Sequence, residues 1–229
     1  MKQFGRAMIV FVIGFMIAPW GAYALAGDKG MGMSADEALK RLMDGNKRYV
    51  EYEMSACRRA TEKMRASLSH DQRPYAVILA CSDSRVPPEI IFDQTLGEIF
   101  VIRVAGNVPD PVVLGSIEYA AEHIGTPLIV VLGHARCGAV TTAVELHGKA
   151  DGNIGAIVRK IAPAVRKASQ ETKGKPQEEL VEGAIDHNIH LVAATIIKQS
   201  PLIERLIKQG KMKIVKAKYD LDDGIVTFH

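Results

Sequence analysis

The sequence predicts an α/β protein with a mostly parallel central β-sheet, made of four parallel strands and an antiparallel edge strand and flanked by helices. Two observations favour this fold. Short, nearly continuous apolar runs alternate with longer helical segments, and such runs are typical of parallel strands with helices on both faces. The composition, 48% hydrophobic and 24% charged over 229 residues, is that of a globular domain with one well-filled core.

The N-terminal residues 1–26 have the pattern of a signal peptide. Lys2 and Arg6 precede an apolar run from Ala7 to Pro19, and Ala24-Leu25-Ala26 supplies the small residues that a signal peptidase reads. An uncleaved membrane anchor is the alternative, but the run is shorter than the ~20 residues that a spanning helix needs. We therefore expect cleavage and a periplasmic or otherwise exported protein without stable membrane association.

Removal of the signal peptide changes the charge of the chain. The formal net charge falls from +3 to +1, because the segment contains two cations and no acidic residue. No basic tract elsewhere suggests nucleic acid or anionic lipid as a partner, so we expect a small-molecule substrate. Residues 27–33, rich in glycine and methionine, are then a linker to a domain that spans residues 34–229.

The first elements of that domain are two helical stretches. Ser34 with Glu37 forms a capping box and predicts the start of a helix that runs to about Tyr52. A second helical stretch follows over about residues 53–67. Both stretches carry many charges, which suits helices that lie on a surface or wrap a partner subunit.

The remaining elements belong to the sheet and its crossovers. Apolar runs predict four parallel strands, at residues 75–80, 98–102, 127–132 and 213–218. Helical segments at residues 111–123 and 178–199 lie between strands. Asp223-Gly224 predicts a turn from the fourth strand into a fifth, antiparallel strand at the sheet edge.

Two potential metal ligands stand at the carboxyl ends of predicted strands. Cys81 follows the first strand directly, and His134 follows the third with only Gly133 between. Open α/β sheets bind ligands at this end, where the strand order reverses, so the two residues can be neighbours although 53 residues separate them. Cys137 lies three residues beyond His134, and Gly133 and Gly138 on either side relieve crowding so that imidazole and thiol can converge.

The set of two thiolates and one imidazole suits Zn²⁺, and three protein ligands leave the fourth tetrahedral position open, as in catalytic zinc sites. A disulfide between Cys81 and Cys137 is the alternative, because export permits oxidation. Cys57 makes three cysteines, too few and odd for a disulfide framework, and the sequence indicates no partner for it. His187 and His190 are expected at a cap or surface, since no further ligand pattern accompanies them.

Two motifs resemble the signatures of the β-class carbonic anhydrases: Cys81-Ser82-Asp83-Ser84-Arg85 and Gly133-His134-Ala135-Arg136-Cys137-Gly138. The similarity runs from about Ser34 to the C-terminus and includes residues 98–103 and 117–120. The resemblance implies reversible hydration of carbon dioxide to bicarbonate and a proton, with one zinc ion per subunit. It also implies an obligate homodimer, or a dimer of dimers, whose active-site clefts lie at the subunit interface.

The resemblance further implies roles for single residues at the metal. Cys81, His134 and Cys137 are the zinc ligands, and Asp83 and Arg85 are the catalytic dyad.

Four other residues correspond to the substrate pocket. Gln72, nine residues before the first ligand, is implied as a substrate hydrogen-bond donor, and the Gly138 backbone as a neighbour of the substrate. Phe100 and Tyr119 are implied to line the pocket of the neighbouring subunit. Ile78 stands where one bacterial subgroup has the tryptophan of an inhibitory bicarbonate pocket, so we do not expect that regulation here.

The chemistry of the residues leads to the same reaction. Zinc lowers the pKa of a bound water and generates a hydroxide that attacks a small electrophilic carbon such as that of carbon dioxide. Because two thiolates formally cancel the charge of Zn²⁺, we expect weaker acidification and an activity that climbs on the alkaline side of neutral. Asp83 can accept a hydrogen bond from that hydroxide or, in a closed state, bind zinc as a fourth ligand, and Arg85 can hold the carboxylate away.

Two other functions stay open on the sequence. A related enzyme that hydrolyses carbonyl sulfide or carbon disulfide would use the same metal and dyad but a different access channel. In a non-catalytic zinc or thiol module, Asp83 and Arg85 would be dispensable. Proton transfer is open as well, because four histidines have suitable chemistry: His70, His123, His147 and His229.

Overall fold

The structure, a computed structural model, describes residues 32–229. The predicted signal peptide, residues 1–26, and the first five residues of the predicted linker lie outside the described residues. Within residues 32–229, no helix has both the length and the apolar composition that crossing a membrane would require.

The described part of the chain forms nine α-helices and five strands. The helices are α1 (Ala35–Val50), α2 (Ala56–Arg59), α3 (Glu62–Ser67), α4 (Pro88–Ile91), α5 (Pro111–Tyr119), α6 (Gly138–Glu145), α7 (Gly152–Glu171), α8 (Gln177–Gln199) and α9 (Pro201–Lys208). The strands are β1 (Ala76–Ala80), β2 (Ile99–Arg103), β3 (Leu128–His134), β4 (Lys213–Tyr219) and β5 (Val226–Phe228). A short 3₁₀ turn, Ala105–Asn107, follows β2.

The five strands form one sheet in the order β2-β1-β3-β4-β5. Strands β1 to β4 are parallel and β5 is antiparallel to β4, which confirms the predicted sheet. The chain places β2 on one side of β1 and β3 on the other, so the strand order reverses between β1 and β3. The carboxyl ends of β1 and β3 therefore border a crevice of the kind in which α/β sheets bind ligands.

Helices cover both faces of the sheet, and the alternation of side chains along β1 assigns each residue to one face. Val77, Leu79 and the following Cys81 pack into a core formed with α5, α6, α7 and α8. Ile78, on the opposite face, packs with α1, α4 and the C-terminal strands and is fully buried. The first predicted ligand therefore faces the α8 side of the sheet.

The capping box at Ser34 is present as predicted. The Ser34 Oγ accepts a hydrogen bond from the Glu37 N–H at 3.2 Å, and the Glu37 carboxylate accepts one from the Ser34 N–H at 2.8 Å. The predicted helix over residues 53–67 is wrong in one respect, since this stretch forms two short helices, α2 and α3. The Thr61 hydroxyl accepts a hydrogen bond from the Met64 N–H and so caps the start of a new helix.

Two further boundaries differ from the prediction. Helix α5 ends at Tyr119, and Ala120–Ile124 forms a π-helical turn that stops at Gly125, which has a φ of 79°. Strand β3 extends to His134, because Gly133 and His134 pair with residues of β4. His134 is thus the last residue of a strand, where its backbone is held by the sheet. The sequence prediction gave bounds for only two of the helices between the strands, so the bounds of α4, α6, α7 and α9 come from the structure alone.

Candidate metal centre

Cys81, His134 and Cys137 meet at the crevice between β1 and β3. Their potential ligand atoms all lie within 4.8 Å of one another, and all three residues are buried. The two sulfur atoms are 4.0 Å apart. No other group of three or more candidate ligands is found among residues 32–229. The structure therefore brings together the three predicted metal ligands.

A tight turn carries the chain from His134 to Cys137. Arg136 has a φ of 51°, in the left-handed region that favours glycine. Its N–H donates to Glu182 Oε1 at 2.8 Å, and its guanidinium makes two hydrogen bonds of 2.8 Å with the Asp222 carboxylate. These contacts offset the unfavourable backbone conformation and orient Cys137 at the start of α6.

The imidazole of His134 is prepared for a metal ion. Its Nδ1 lies 2.9 Å from the Ala135 carbonyl oxygen, which can only accept a hydrogen bond, so Nδ1 carries the proton and Nε2 presents a lone pair. Nε2 is buried and has no hydrogen-bond partner. Such an atom is costly to bury unless it binds something, and a metal ion between the two sulfurs would satisfy it.

Both cysteines at the site are free thiols. Their sulfur separation is about twice the ~2.05 Å of a disulfide bond. The hydrogen bond with Cys137 lowers the pKa of Cys81 to about 4, with support from the Gly106 N–H, while the same bond and burial raise the pKa of Cys137. The pair thus shares one proton, and a cation is needed to hold both as thiolates. This donor set fits Zn²⁺.

Asp83 and Arg85 form a two-pronged ion pair at the edge of the centre. Arg85 Nε and Nη2 donate to the two oxygens of Asp83 at 3.0 Å and 2.8 Å. These hydrogen bonds hold the pKa of the Asp83 carboxyl well below its usual range. Asp83 Oδ2 lies 3.9 Å from His134 Nε2, so the carboxylate borders the site while Arg85 restrains it.

Arg103, at the end of β2, is a contributor that the sequence prediction did not assign to the site. Its Nε donates to the Cys81 carbonyl oxygen at 3.0 Å and its Nη2 to the Asp83 carbonyl oxygen at 2.5 Å. These bonds fasten the loop that carries both the first ligand and the dyad. The one feature of the sequence that could have indicated this role is the position of Arg103, a cation at the carboxyl end of the strand beside β1.

The residues implied for the substrate pocket divide into two places. Gly138 is the first residue of α6, next to Cys137, with open space beside its α-carbon. Gln72 and Tyr119, together with His70 and His123, line a separate cleft of about 590 Å³. His70 and His123 are thus the two of the four histidines considered for proton transfer that lie beside residues implied for the substrate pocket.

The separate cleft lies toward the other end of the sheet. The Phe100 ring centroid is 6.4 Å from that of Tyr119, and Phe100 pairs with Val77 near the start of β1. Gln72 precedes β1 and Cys81 follows it, so the five residues of the strand, about 16 Å at 3.3 Å each, separate them. Within one chain, these pocket residues do not join the metal centre.

The two histidines of α8 have other contacts. His187 Nε2 is 2.7 Å from Glu171 Oε2, and His190 Nδ1 is 2.9 Å from the Asp186 carbonyl oxygen. The His190 and His229 rings lie 6.3 Å apart on the exposed side of the helix.

Proteins with similar sequences are carbonic anhydrases. The family model described as carbonic anhydrase matches residues 76–226. Carbonic anhydrase 2 of Mycobacterium tuberculosis is 40% identical over 190 residues, which cover 82% of this chain and 89% of that protein. The carbonic anhydrase of Mycolicibacterium smegmatis is 38% identical over 192 residues, which cover 82% of this chain and 90% of that protein.

Solved β-carbonic anhydrases share the fold. The Coccomyxa enzyme in complex with acetazolamide superposes with a TM-score of 0.69 at 22% identity, covering 82% of this chain and 85% of its own. The β-carbonic anhydrase CcaA gives a TM-score of 0.67 at 24% identity, covering 83% of this chain and 94% of its own.

Proposed function

The chain belongs to the β class of the carbonic anhydrase family, and from this premise we propose how its own residues serve the reaction. The enzyme catalyses the reversible hydration of carbon dioxide to bicarbonate and a proton, and zinc is its cofactor. The observation that carries the proposal is the buried group of two thiols and one imidazole, with His134 Nε2 lacking any other partner.

Cys81, His134 and Cys137 would hold the metal, with one coordination position left for a small molecule. The chemistry that zinc would supply there is to acidify a water molecule and so to provide a nucleophile for carbon dioxide. The burial of all three ligands excludes bulk water, which strengthens every electrostatic interaction at the site.

Asp83 is proposed to accept a hydrogen bond from the attacking water and so to orient its lone pair toward the carbon. The carboxylate is suited to this role because the contacts with Arg85 keep it ionised. Arg85 fixes the rotamer of Asp83 through two parallel bonds and restrains it from becoming a fourth ligand. Held in this way, Asp83 would leave a coordination position of the metal free for a small molecule.

The site is proposed to be completed by a second copy of the chain, in a homodimer or a dimer of dimers. The arrangement of the single chain supports this, because Gln72, Phe100 and Tyr119 lie toward the opposite end of the sheet from the metal ligands. In the dimer, Gln72 of the partner subunit would donate to the substrate. The helices α1 to α3 would wrap the partner. A chain from the crystal structures of two tetrameric β-carbonic anhydrases of Sordaria macrospora shares the fold, with a TM-score of 0.61.

Proton release to buffer would use the separate cleft that Gln72 and Tyr119 line. His123 lies there with its ring 5.3 Å from that of Tyr119, and His70 lines the same cleft. An imidazole ring can both accept and donate a proton, as this transfer requires.

The decisive experiment is stopped-flow hydration of carbon dioxide by the zinc-replete mature protein from pH 6 to 9. We expect a rate far above buffer that climbs on the alkaline side, and a Cys137→Ser variant that loses both zinc and activity. No rate above buffer would contradict the proposal. Assays with carbonyl sulfide and carbon disulfide measure the alternative substrates directly. A non-catalytic module would bind zinc but show no turnover of any of the three.

Export is proposed from the pattern of residues 1–26, with cleavage before Gly27. The enzyme would then exchange carbon dioxide and bicarbonate in the periplasm. Expression of the full chain with N-terminal sequencing of the fractionated protein tests this, and recovery of protein that begins at Met1 in the cytoplasm would contradict it.

A further inference from the structure

We propose that Asn188 is a positioning residue of the metal centre, which acts through Gly106 on the sulfur of Cys81. This inference rests on the zinc site proposed above and adds to it a residue far from the ligands in sequence. Asn188 lies between the two histidines of α8 that the sequence singled out, and it faces the sheet while they have contacts on the outer side.

The contacts form a continuous path from the helix to the metal ligand. Asn188 is 2% exposed, and its Nδ2 donates to the Gly106 carbonyl oxygen at 3.0 Å. The Gly106 N–H in turn donates to Cys81 Sγ at 3.3 Å. Both peptide groups that flank the Gly106 α-carbon are therefore anchored. The one between Gly106 and Asn107 is held by Asn188 and by a hydrogen bond of 2.8 Å from the Asn107 N–H to the Val104 carbonyl oxygen, and the other is held at the sulfur.

The backbone at Gly106 needs such an anchor. Its φ is 67°, a conformation that only glycine adopts without strain, and a Cβ there would lie 2.8 Å from Ile161 Cδ1. A residue without a side chain has no packing contact of its own to fix its peptide orientation. Asn188 is the side chain that holds the Gly106 carbonyl group, beside the backbone bond from Asn107 to Val104, and so helps to keep the Gly106 N–H directed at the sulfur.

The expected consequence is electrostatic and geometric. A site with two thiolates has as much negative charge as the metal has positive charge, and an N–H donor offsets part of the charge on one sulfur while holding its direction. Helix α8 also packs at the other ligand-bearing strand, since a Cβ on Gly133 would lie 2.5 Å from Ile189. One helix thus supports the residues beside both Cys81 and His134.

The test compares zinc affinity in the mature protein, measured by competition with a chromophoric chelator. Asn188→Ala removes the donor, and Asn188→Leu removes it while keeping a side chain of similar volume. Loss of an outer-shell partner lowers metal affinity about 10- to 100-fold, which we expect for both variants. The cobalt-substituted variants should also show a shifted thiolate-to-metal absorption band.

Asn46→Ala is the matched control. Asn46 is also a buried asparagine that bonds backbone groups, those of Ile91, Gly224 and Val226, but it packs on the opposite face of the sheet. This variant should unfold at a lower temperature and yet keep wild-type zinc affinity and cobalt spectrum.

Three results would bear on the inference in different ways. Wild-type affinity and an unchanged cobalt spectrum in folded Asn188→Leu would overturn it. An equal loss of affinity in Asn46→Ala would also overturn it, because it would reveal a general effect of lost stability. Failure of the wild-type chain to bind zinc would instead refute the proposed function itself. If Asn188→Ala does not fold, Asn188→Leu decides.

Discussion

Asp83 owes its ionised state and its orientation to one neighbour. Arg85 donates to both carboxylate oxygens and its backbone N–H donates to Oδ1 as well, at 3.0 Å. The short loop of residues 81–85 therefore carries both a candidate metal ligand, Cys81, and a hydrogen-bond acceptor, the Asp83 carboxylate, whose orientation Arg85 fixes. Arg103 fixes that loop from the neighbouring strand.

The role of Asp83 is tested by Asp83→Asn, which keeps the shape of the side chain and removes its charge. We expect unchanged zinc content and a fall in kcat of about 10²-fold or more, the range found when a proton-handling group is lost. Zinc analysis and stopped-flow hydration are the measurements. Asp44→Asn, at an exposed ion pair with Lys40, controls for the loss of one charge and should leave kcat unchanged. Near-wild-type turnover in Asp83→Asn would remove this residue from the mechanism.

At the scale of elements, the crevice depends on how closely helices approach the strands. Glycine permits the closest approach of α8 to β3, because any side chain on Gly133 would meet Ile189. Among the N-terminal helices, the buried Asp93 connects α1 to α2. Its carboxylate forms an ion pair of 2.6 Å with Arg48 of α1, and it accepts hydrogen bonds from the N–H groups of Ser55 and Ala56 at the start of α2. Single residues thus fix the docking of whole helices.

Gly133→Ala is predicted to destabilise the protein by about 1–3 kcal/mol, the usual cost of overpacking a filled core. Gly115→Ala is the matched control, because it lies inside helix α5 with no atom near the added methyl group. That substitution should stabilise by about 0.5–1 kcal/mol. Denaturant unfolding of both variants measures the difference, and equal stabilities would contradict the packing argument.

Asp93 predicts a dependence of stability on pH. Burial raises the pKa of Asp93, but the Arg48 ion pair and the two N–H donors outweigh burial, so the pKa lies below its ordinary value of 3.8. The stabilisation is therefore complete above that value and is lost as pH falls through the lower, folded-state pKa.

Asp93→Asn should lower the free energy of unfolding by about 2 kcal/mol at pH 7, the net worth of a hydrogen bond to a charged group. The difference between the variant and the wild type should shrink as pH falls below 4. Urea unfolding at pH 7 and at successively lower pH measures this, and a difference that does not change with pH would show that the charge of Asp93 is not responsible.

At the scale of the whole molecule, the metal ligands and the residues proposed for the substrate pocket lie toward different ends of one sheet. The metal ligands occupy the carboxyl ends of β1 and β3, while Gln72 and Tyr119 line a cleft near the start of β1. This separation within one chain is the feature that supports the proposed symmetric dimer, in which each copy would complete the site of the other.

Complementation between two inactive variants tests this arrangement. Gln72→Ala and Asp83→Asn are each expected to reduce activity strongly in a homodimer. In a mixed dimer, one site would combine an intact Asp83 with the partner subunit's Gln72, so an equal mixture of exchanging subunits should recover about a quarter of wild-type activity. Co-expression with two tags allows the mixed dimer to be isolated. Absence of recovery would place Gln72 and Asp83 in the same site of one chain.

Much of the fold and of the metal centre could be predicted from local patterns. Apolar runs specify buried parallel strands, because both faces of such strands are covered, and the run before Cys81 placed this residue at a strand end. The break at Thr61 and the extension of β3 to His134 were not predicted, since a capping bond and pairing with β4 decided them. Local periodicity does not record either contact.

The sequence by itself predicted the fold class, three candidate metal ligands and the Asp83–Arg85 pair, because apolar runs place Cys81 and His134 at strand ends and two short motifs hold the remaining residues at fixed spacing. Only the tertiary structure decided that Arg103 fastens the ligand loop, that Asn188 reaches Gly106 across 82 residues, and that Gln72 lies apart from the metal. These relations arise from the packing of helices on a sheet. Packing brings together groups whose separation along the chain carries no information about their separation in space.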